Sequence, residues 1–293
     1  TDLRKADVVY SEESGNKAFD DFYSTFSKYT GSMVKSTYLI EGCTKTQLEE
    51  AQQLLNELAT KTDLQNINVV LLELYKVLPR RMRDVRHHLL EDVSDKGKLI
   101  QKEQDALDSM DSNNIIHVAN PFKELELDFE EVEDLATLEK LIYPTMGRYD
   151  KVTIYKAFRV KNPSRTTAFD SWMSGQKNPD TELLIHGTRN ANVFSIMKSG
   201  LLIRPTNAAM ISGAAYGNGI YHSSHTQKSL GYTGRESDKI FLIQNVHMGN
   251  PYTYQGWYRD GKSLSRNQMN YKYLASQGYD SLFVKPGDGL LNS

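Results

Sequence analysis

The sequence predicts an α+β protein in which a helical bundle precedes a domain of short strands and a few helices. Residues 44–113 show apolar side chains at helical spacing and no strand signal. Alternating apolar residues and frequent glycines begin near Asn114. The length of 293 residues and the apolar content of 39% leave room for a substantial core and for two domains.

Helices are predicted throughout the first part of the chain. Gly31 is placed to end the first of them, and the pair Thr46 and Glu49 has the spacing of a capping box for the second. Pro79 ends the third, because proline lacks the N–H and clashes with the preceding turn. The predicted helices cover 16–29, about 46–58, 66–78 and a stretch that starts near Ser94.

The second part of the chain is predicted to alternate between short strands and short helices. Alternation of apolar and polar residues indicates strands, and spacing of three or four indicates helices. The predicted strands lie near 125–129, 152–160, 183–186, 219–221, 239–247 and 281–284, and the predicted helices cover 134–142 and 192–198.

Composition excludes several classes of protein. Cys43 is the single cysteine, which excludes an intrachain disulfide and a cysteine-based zinc site. No apolar run reaches the roughly 18 residues that a membrane span needs, and residues 1–15 lack the apolar region of a signal peptide. We therefore expect an intracellular protein without a membrane partner.

The formal net charge of −2 argues against binding of nucleic acid by bulk electrostatics. One local basic cluster stands out, and a solvated helix end or loop is the interpretation favoured for it. The cluster consists of Arg80, Arg81, Arg83, Arg86, His87 and His88.

The common nucleotide and metal motifs are absent. There is no P-loop, and the pair Gly217 and Gly219 lacks the third glycine and the following helix of a Rossmann fingerprint. His222 and His225 are spaced like metal ligands but have no evident third partner, so we expect no metal site.

Three local features are more specific. Residues 183–189 form an apolar strand that ends in a histidine and a glycine, residues 213–221 form a glycine-rich loop that leads to a tyrosine, and residues 228–232 combine a cation, a hydroxyl and an aromatic ring. Taken singly, each has a structural alternative: a buried structural histidine, a hairpin loop with a core tyrosine, and a solvated helix end.

Together these features form an ordered series that resembles the catalytic domain of the poly(ADP-ribose) polymerases. The series comprises His186-Gly-Thr-Arg189, Asn192, Gly200-Leu-x-Ile-x-Pro205, Tyr216-Gly-Asn-Gly-Ile-Tyr221, Lys228-Ser229-x-x-Tyr232 and Gly249-Asn250. The resemblance implies a mixed, mainly antiparallel sheet and an NAD-dependent ADP-ribosyltransferase. This enzyme would cleave the nicotinamide–ribose bond and transfer ADP-ribose to protein acceptors, including itself.

The resemblance extends upstream and suggests three regions. Residues 1–42 would be an N-terminal segment with a remnant of a WGR domain, because 17–31 is similar to its last helix. Residues 43–113 are similar to the helical regulatory domain of DNA-damage-responsive members of the family. Residues 114–293 would be the catalytic domain.

The resemblance also implies roles at the nicotinamide end of NAD. Gly187 would hold the carboxamide through its backbone, Ser229 would donate to that group, and Tyr232 would stack on the ring. Tyr221 would close the other side of the ring. Lys228 would lie on the acceptor side, and it joins His186 and Tyr221 as an expected catalytic residue.

At the adenosine end, His186 would hydrogen-bond the ribose. Thr188 and Asn192 match positions that line this end, and Tyr216 ends a loop from Pro205 that would cover NAD. NAD is thus the expected substrate, and the expected location is the nucleus. DNA would be contacted only through regions outside this chain or at its N-terminal edge.

The sequence departs from the family pattern at several positions. Ala214 stands where relatives often have an aromatic residue, His222-Ser-Ser follows Tyr221 where relatives usually have Phe-Ala-Asp, and the loop between Tyr252 and Tyr279 is short. The family's catalytic glutamate follows a Leu-Leu pair, and here Leu290-Leu291-Asn292-Ser293 ends the sequence given. We therefore expect the last strands to lie beyond Ser293. A catalytically impaired or truncated NAD-binding module is the alternative function, and an unrelated α+β binding protein is a third.

Overall fold

The computed structural model describes residues 14–148, 152–203, 216–217, 219–254 and 271–285. Four long helices dominate its N-terminal part, as the sequence predicts. They are α1 (Lys17–Thr37), α2 (Lys45–Thr60), α3 (Leu64–Val77) and α4 (Lys96–Ile116).

Short polar side chains cap the first three of these helices, although the capping box of α2 was predicted at the wrong residues. The capping box of α2 is formed by Thr44 and Gln47 rather than by Thr46 and Glu49. The Thr44 hydroxyl accepts from the Gln47 N–H, while the Gln47 side chain accepts from the Thr44 N–H. Asp63 caps α3 in the same way by accepting from the N–H of Asn66.

The predicted end of α1 at Gly31 is wrong, because the helix continues to Thr37. Thr30 and Val34 on either side of the glycine are buried, with exposed fractions of 0% and 1%. Their packing outweighs the cost of about 1 kcal/mol that a glycine imposes inside a helix.

The helical core is built from the faces that the periodicity predicts. Ala51, Leu55 and Leu58 of α2 pack against Leu71 and Leu74 of α3, and all five are buried. Further members of this core come from the end of α1, from the residue that follows it and from α4. They include Val34, Tyr38, Ile100, Leu107 and Met110.

Arg80 corrects the interpretation of the basic cluster as wholly solvated. Its side chain is buried and forms an ion pair with Glu103 of α4, and its guanidinium lies 4.1 Å from the centre of the Tyr38 ring. A buried cation requires such partners, because desolvation of an unpaired charge is costly. The other arginines of the cluster and His87 are exposed, and His88 is partly exposed.

The C-terminal part contains short helices and strand pairs. The helices are α5 (Pro121–Leu125), α6 (Ala136–Ile142), α7 (Pro163–Met173), α8 (Val193–Ser199), α9 (Thr226–Leu230) and α10 (Tyr271–Ser276). The strands are β1 (Asp128–Glu131), β2 (Phe158–Lys161), β3 (Thr181–Thr188), β4 (Ile240–His247), β5 (Pro251–Thr253) and β6 (Ser281–Phe283). Within the described ranges, β1–β2 and β3–β4 are antiparallel and β5–β6 is parallel, which confirms the α+β class and the mainly antiparallel strand pairing.

Three strand predictions need correction. The strand predicted near 152–160 is reduced to β2, because residues 152–157 have no regular secondary structure. Gly219, Ile220 and Tyr221 do not form a strand, because the backbone pairing with β3 is confined to a single bridge between Ser223 and Ile185. The alternation that starts at Leu125 is not all strand either, since Leu125 ends α5 and β1 begins three residues later.

A second core joins α1 to the C-terminal part. Phe19 and Phe22 lie 5.6 Å and 5.4 Å from Phe129 of β1, measured between ring centres. Phe22 also lies 5.6 Å from the ring of Phe194 on α8. Each such ring contributes about 1.5–3 kcal/mol through burial, so α1 is anchored in both cores.

No helix within the described ranges is long and apolar enough to cross a membrane.

Candidate active site

Strand β3 delivers His186 to the candidate site. Its Nδ1 lies 2.8 Å from the carbonyl oxygen of Tyr221, and a carbonyl oxygen only accepts, so Nδ1 carries the proton. Burial, aided by the nearby His222, lowers the pKa of His186, and the bond to Tyr221 opposes this shift. His186 is therefore neutral near pH 7, and its Nε2 is a hydrogen-bond acceptor.

Gly187 is a glycine because another backbone approaches it closely. A Cβ at this position would overlap the carbonyl oxygen of Ser229 on α9. The Ser229 hydroxyl donates to the carbonyl oxygen of Ile185 over 3.1 Å, so α9 is fixed to β3 on both sides of His186. The geometry brings Gly187 and Ser229 together, as their expected joint role requires.

Tyr221 organises the loop that precedes it. Its hydroxyl donates to the carbonyl oxygen of Gly217 over 2.6 Å and accepts from the N–H of Tyr216 over 3.0 Å. Burial raises the pKa of Tyr221 to about 12, so the phenol stays neutral at physiological pH. Tyr232, in contrast, is 43% exposed and presents a ring to the cavity.

The turn Asn190–Asn192 follows β3 and carries further polar groups. Asn192 is 6% exposed, and its Oδ1 is buried without a hydrogen-bond partner. A buried oxygen in this condition is costly and is suited to a donor supplied by a ligand. Asn190 holds the turn in place, because its Nδ2 donates to the carbonyl oxygen of Asp238 over 2.8 Å.

A cavity of about 420 Å³ unites six of the predicted site residues. Those that line it are His186, Gly187, Thr188, Asn192, Tyr221 and Tyr232. Tyr216, Lys228 and Ser229 lie in neighbouring segments but do not line this cavity. The predicted set therefore divides into six residues that line the cavity and three that do not.

The opposite wall of the cavity comes from α4, which the sequence did not connect with this site. Five polar side chains of α4 line it, namely Gln101, Gln104, Asp105, Asp108 and Asp111. Their spacing indicates a polar helix face, but nothing in the sequence says what that face opposes. Arg189, which follows β3 directly, also lines the cavity and had no predicted role.

Some predicted features lie outside the described residues. They are the loop 205–215 with Ala214, residues 255–270 of the acceptor-side loop, and the sequence from 286 onward with Leu290 and Leu291. Within the described ranges, no group of three histidine, cysteine, aspartate or glutamate side chains could hold a metal ion. His222 Nε2 lies 3.0 Å from the side-chain oxygen of Gln244 instead.

Comparison with known proteins identifies the family. The profile of the poly(ADP-ribose) polymerase catalytic domain matches residues 130–279. The putative poly [ADP-ribose] polymerase-like protein 100L of Invertebrate iridescent virus 6 is 43% identical over 139 residues, which are 47% of this chain and 75% of that protein. The chain belongs to the poly(ADP-ribose) polymerase family.

Two cellular relatives match smaller shares of their own length. Protein mono-ADP-ribosyltransferase PARP3 of Gallus gallus is 36% identical over 98 residues, which are 33% of this chain and 17% of that protein. Poly [ADP-ribose] polymerase 2 of Zea mays is 25% identical over 258 residues, which are 80% of this chain and 38% of that protein. The chain thus spans well under half of these two relatives.

Proposed function

We propose that this chain is an NAD-dependent ADP-ribosyltransferase that cleaves the nicotinamide–ribose bond and transfers ADP-ribose to protein acceptors. The observation that carries the proposal is the gathering of six motif residues, from three separate segments, around one cavity. Membership of the poly(ADP-ribose) polymerase family supports it independently.

The chemistry suits a site that binds and orients rather than one that attacks. Nicotinamide leaves as a neutral molecule, so positive charge develops on the ribose as an oxocarbenium ion. A protein accelerates such a step by holding the two parts of the substrate in a reactive geometry and by stabilising that charge. The expected contributions of the site residues are therefore mainly positional.

At the adenosine end, His186 and Asn192 would each offer a hydrogen-bond acceptor. The deprotonated Nε2 of His186 would accept a ribose hydroxyl. The Asn192 Oδ1, buried without a partner, would accept a donor from the adenosine. Thr188 lies between them at the end of β3 and lines the same cavity.

At the nicotinamide end, backbone and ring contacts would hold the leaving group. The partly exposed backbone of Gly187 would pair with the carboxamide, and Ser229 would add its hydroxyl. Because that hydroxyl donates to Ile185 in this structure, it would turn toward the carboxamide or use its lone pairs. Tyr232 offers an exposed face for stacking on the cationic ring, opposite Tyr221.

A second candidate function is an NAD-binding module with little or no transferase activity. It is favoured by one observation: no glutamate is among the described residues that line the cavity. Lys228 would act on the acceptor side in the transferase, whereas in the binding module it would have no chemical role.

Labelled NAD distinguishes the two functions. The full chain is incubated with NAD labelled in the adenylate group, and free nicotinamide and protein-bound label are measured. Release of nicotinamide together with protein labelling supports the transferase, and binding without either supports the module. His186→Ala should lose NAD binding. If the unmodified chain neither binds NAD nor labels any protein, both candidate functions are overturned.

The helical part suggests regulation by DNA damage and a nuclear location, and both belong to the proposal. We place the regulatory bundle at residues 43–113 and the catalytic domain from 114 onward, after an N-terminal segment. Because α4 forms one wall of the cavity, displacement of the bundle would change access for NAD. Fluorescent tagging and DNA-stimulated labelling assays test location and activation separately.

A further inference from the structure

The charges around the cavity are distributed unevenly. One wall carries the carboxyl groups of Asp105, Asp108 and Asp111, and the other carries Arg189. Among the described residues that line the cavity, Arg189 is the only lysine or arginine. His186 adds no positive charge near pH 7, since burial lowers its pKa.

A dinucleotide brings a pyrophosphate with two negative charges into this space. Facing carboxylates repel those charges, and the repulsion is strong where water is partly excluded. An arginine offsets it well, because its planar guanidinium donates two parallel hydrogen bonds to phosphate oxygens. The pyrophosphate therefore needs a cationic partner, and Arg189 is the one lysine or arginine among the described residues that line the cavity.

The position of Arg189 in the chain fits this need. It follows the last residue of β3 in an extended conformation, with φ −73° and ψ 142°, and it leads into the turn Asn190–Asn192. Gly187, expected at the nicotinamide end, comes two residues before it, and Asn192, expected at the adenosine end, comes three residues after it. The pyrophosphate joins those two ends, so a central position is expected for its partner.

Arg189 has a weak partner in this structure. Its Nε lies 3.4 Å from Asp105 Oδ2, beyond the roughly 2.7–2.9 Å of a strong charge-assisted hydrogen bond. The Arg189 side chain is 50% exposed and that of Asp105 is 14% exposed. Burial raises the pKa of Asp105, and the charge of Arg189 and the hydrogen bond from Gln101 oppose this shift. Gln101 donates to the other oxygen of Asp105 over 2.9 Å and fixes its direction.

We propose that Arg189 binds the pyrophosphate of the dinucleotide and that Asp105 of α4 occupies this arginine until the phosphate replaces it. The inference rests on the proposed function, which it deepens by naming the group that recognises the phosphates. It also gives Asp105 a specific role, as a competitor of the substrate for one cation.

The test compares ligands with and without phosphate. Calorimetric titration of the full chain uses NAD, ADP and nicotinamide with the wild type, Arg189→Gln and Arg189→Lys. Arg189→Gln should weaken NAD and ADP by about tenfold or more, because charged hydrogen bonds are lost. Nicotinamide binding should not change, and Arg189→Lys should recover part of the loss. The matched control is Arg159→Gln, which removes an exposed ion pair with Glu130 between β1 and β2 and should change none of the affinities.

Asp105→Asn tests the second half of the proposal. It should strengthen binding of ADP more in the wild-type background than in the Arg189→Gln background, where only the repulsion between Asp105 and the phosphates is relieved. An equal gain in both backgrounds would indicate repulsion alone and would overturn the competition. Added salt should weaken ADP binding to the wild type more steeply than to Arg189→Gln.

Each contrary outcome has a distinct meaning. Unchanged ADP affinity in Arg189→Gln, or an equal loss for nicotinamide, would overturn the role of Arg189. An Asp105→Asn variant that does not bind ADP more tightly would overturn the competition. A wild type that binds neither NAD nor nicotinamide would overturn the proposed function and this inference with it.

Discussion

The Tyr29 hydroxyl on α1 donates a 2.6 Å hydrogen bond to Asp238 Oδ2, in the segment that leads into β4. The backbone oxygen of Asp238 in turn accepts from Asn190, in the turn that carries Asn192. Lys28 lies 3.9 Å from the same carboxylate oxygen. The first helix is thus tied, through Asp238, to the turn Asn190–Asn192 of the candidate site.

Tyr29→Phe should lower the free energy of unfolding by about 1 kcal/mol, because Asp238 loses a donor while the ring stays packed. It should also weaken NAD binding modestly by loosening the turn. Urea denaturation measures the first effect and calorimetric titration the second. Tyr271→Phe, at an exposed tyrosine of α10, is the control, and equal stability of the two variants would contradict the prediction.

Breaking the buried ion pair between Arg80 and Glu103 should destabilise the helical bundle more than the loss of the Tyr29 hydroxyl does. Tyr75 also contributes to this pair, by donating to Glu103 over 3.3 Å. Arg80→Ala should lower the free energy of unfolding by about 3–5 kcal/mol, because Glu103 would remain buried without its cation. Urea denaturation followed by circular dichroism measures this loss.

Two further variants separate charge from packing. Arg81→Ala changes an exposed neighbour and should leave the denaturation midpoint unchanged. The double variant Arg80→Met with Glu103→Leu should recover most of the stability, since it removes both charges and keeps the volume. A double variant as unstable as Arg80→Ala would show that the pair is not the cause.

The helical core was predictable because its information is local. The spacing of Leu55 and Leu58, or of Leu71 and Leu74, sets a helix face within a few residues, and each of these residues is buried. Arg80 was not predictable in this way. It stands in a run of charged residues that are otherwise largely exposed, and its burial depends on Glu103, which follows it 23 positions later.

In the candidate site, too, the locally encoded part was predictable and the part that depends on long-range packing was not. β3 and the turn after it form one continuous segment, so the motif from His186 to Asn192 indicated a shared cavity. The wall from α4 depends on how two distant parts of the chain pack together. Asp105 and Gln101 carry no local signal for that arrangement, and the role proposed for Arg189 depends on it.

Two glycine substitutions should have opposite effects. A Cβ at Gly31 meets no atom within 4 Å, so Gly31→Ala should stabilise α1 by about 0.5–1 kcal/mol. A Cβ at Gly187 meets the Ser229 carbonyl, so Gly187→Ala should destabilise the protein and reduce NAD binding. Thermal unfolding of both variants measures the contrast, and a neutral Gly187→Ala would contradict the close approach.

The two histidines on neighbouring segments predict a pH dependence. The ring centres of His186 and His222 lie 5.7 Å apart, and burial lowers the pKa of each below its ordinary value of about 6.5. Between the lowered pKa values and about 6.5, the unfolded chain binds more protons than the folded one. The stability supplied by the neutral histidines is therefore present above about pH 6.5 and is lost as the pH falls through the lowered values. NAD affinity should fall with it, because protonation removes the acceptor on His186 Nε2.

His222→Gln tests the coupling between the two rings. Protonated His222 lowers the pKa of His186, so its removal should raise that pKa. Loss of NAD binding on acidification should then begin at a higher pH than in the wild type. The neighbouring Tyr221 stays neutral throughout this range, since its pKa is raised to about 12, and His87→Gln changes an exposed histidine as the control. Titrations of NAD affinity at pH values from about 5 to 8, the interval in which histidine changes its charge, measure the midpoint of this loss. An unchanged midpoint in His222→Gln would show that the two rings titrate independently.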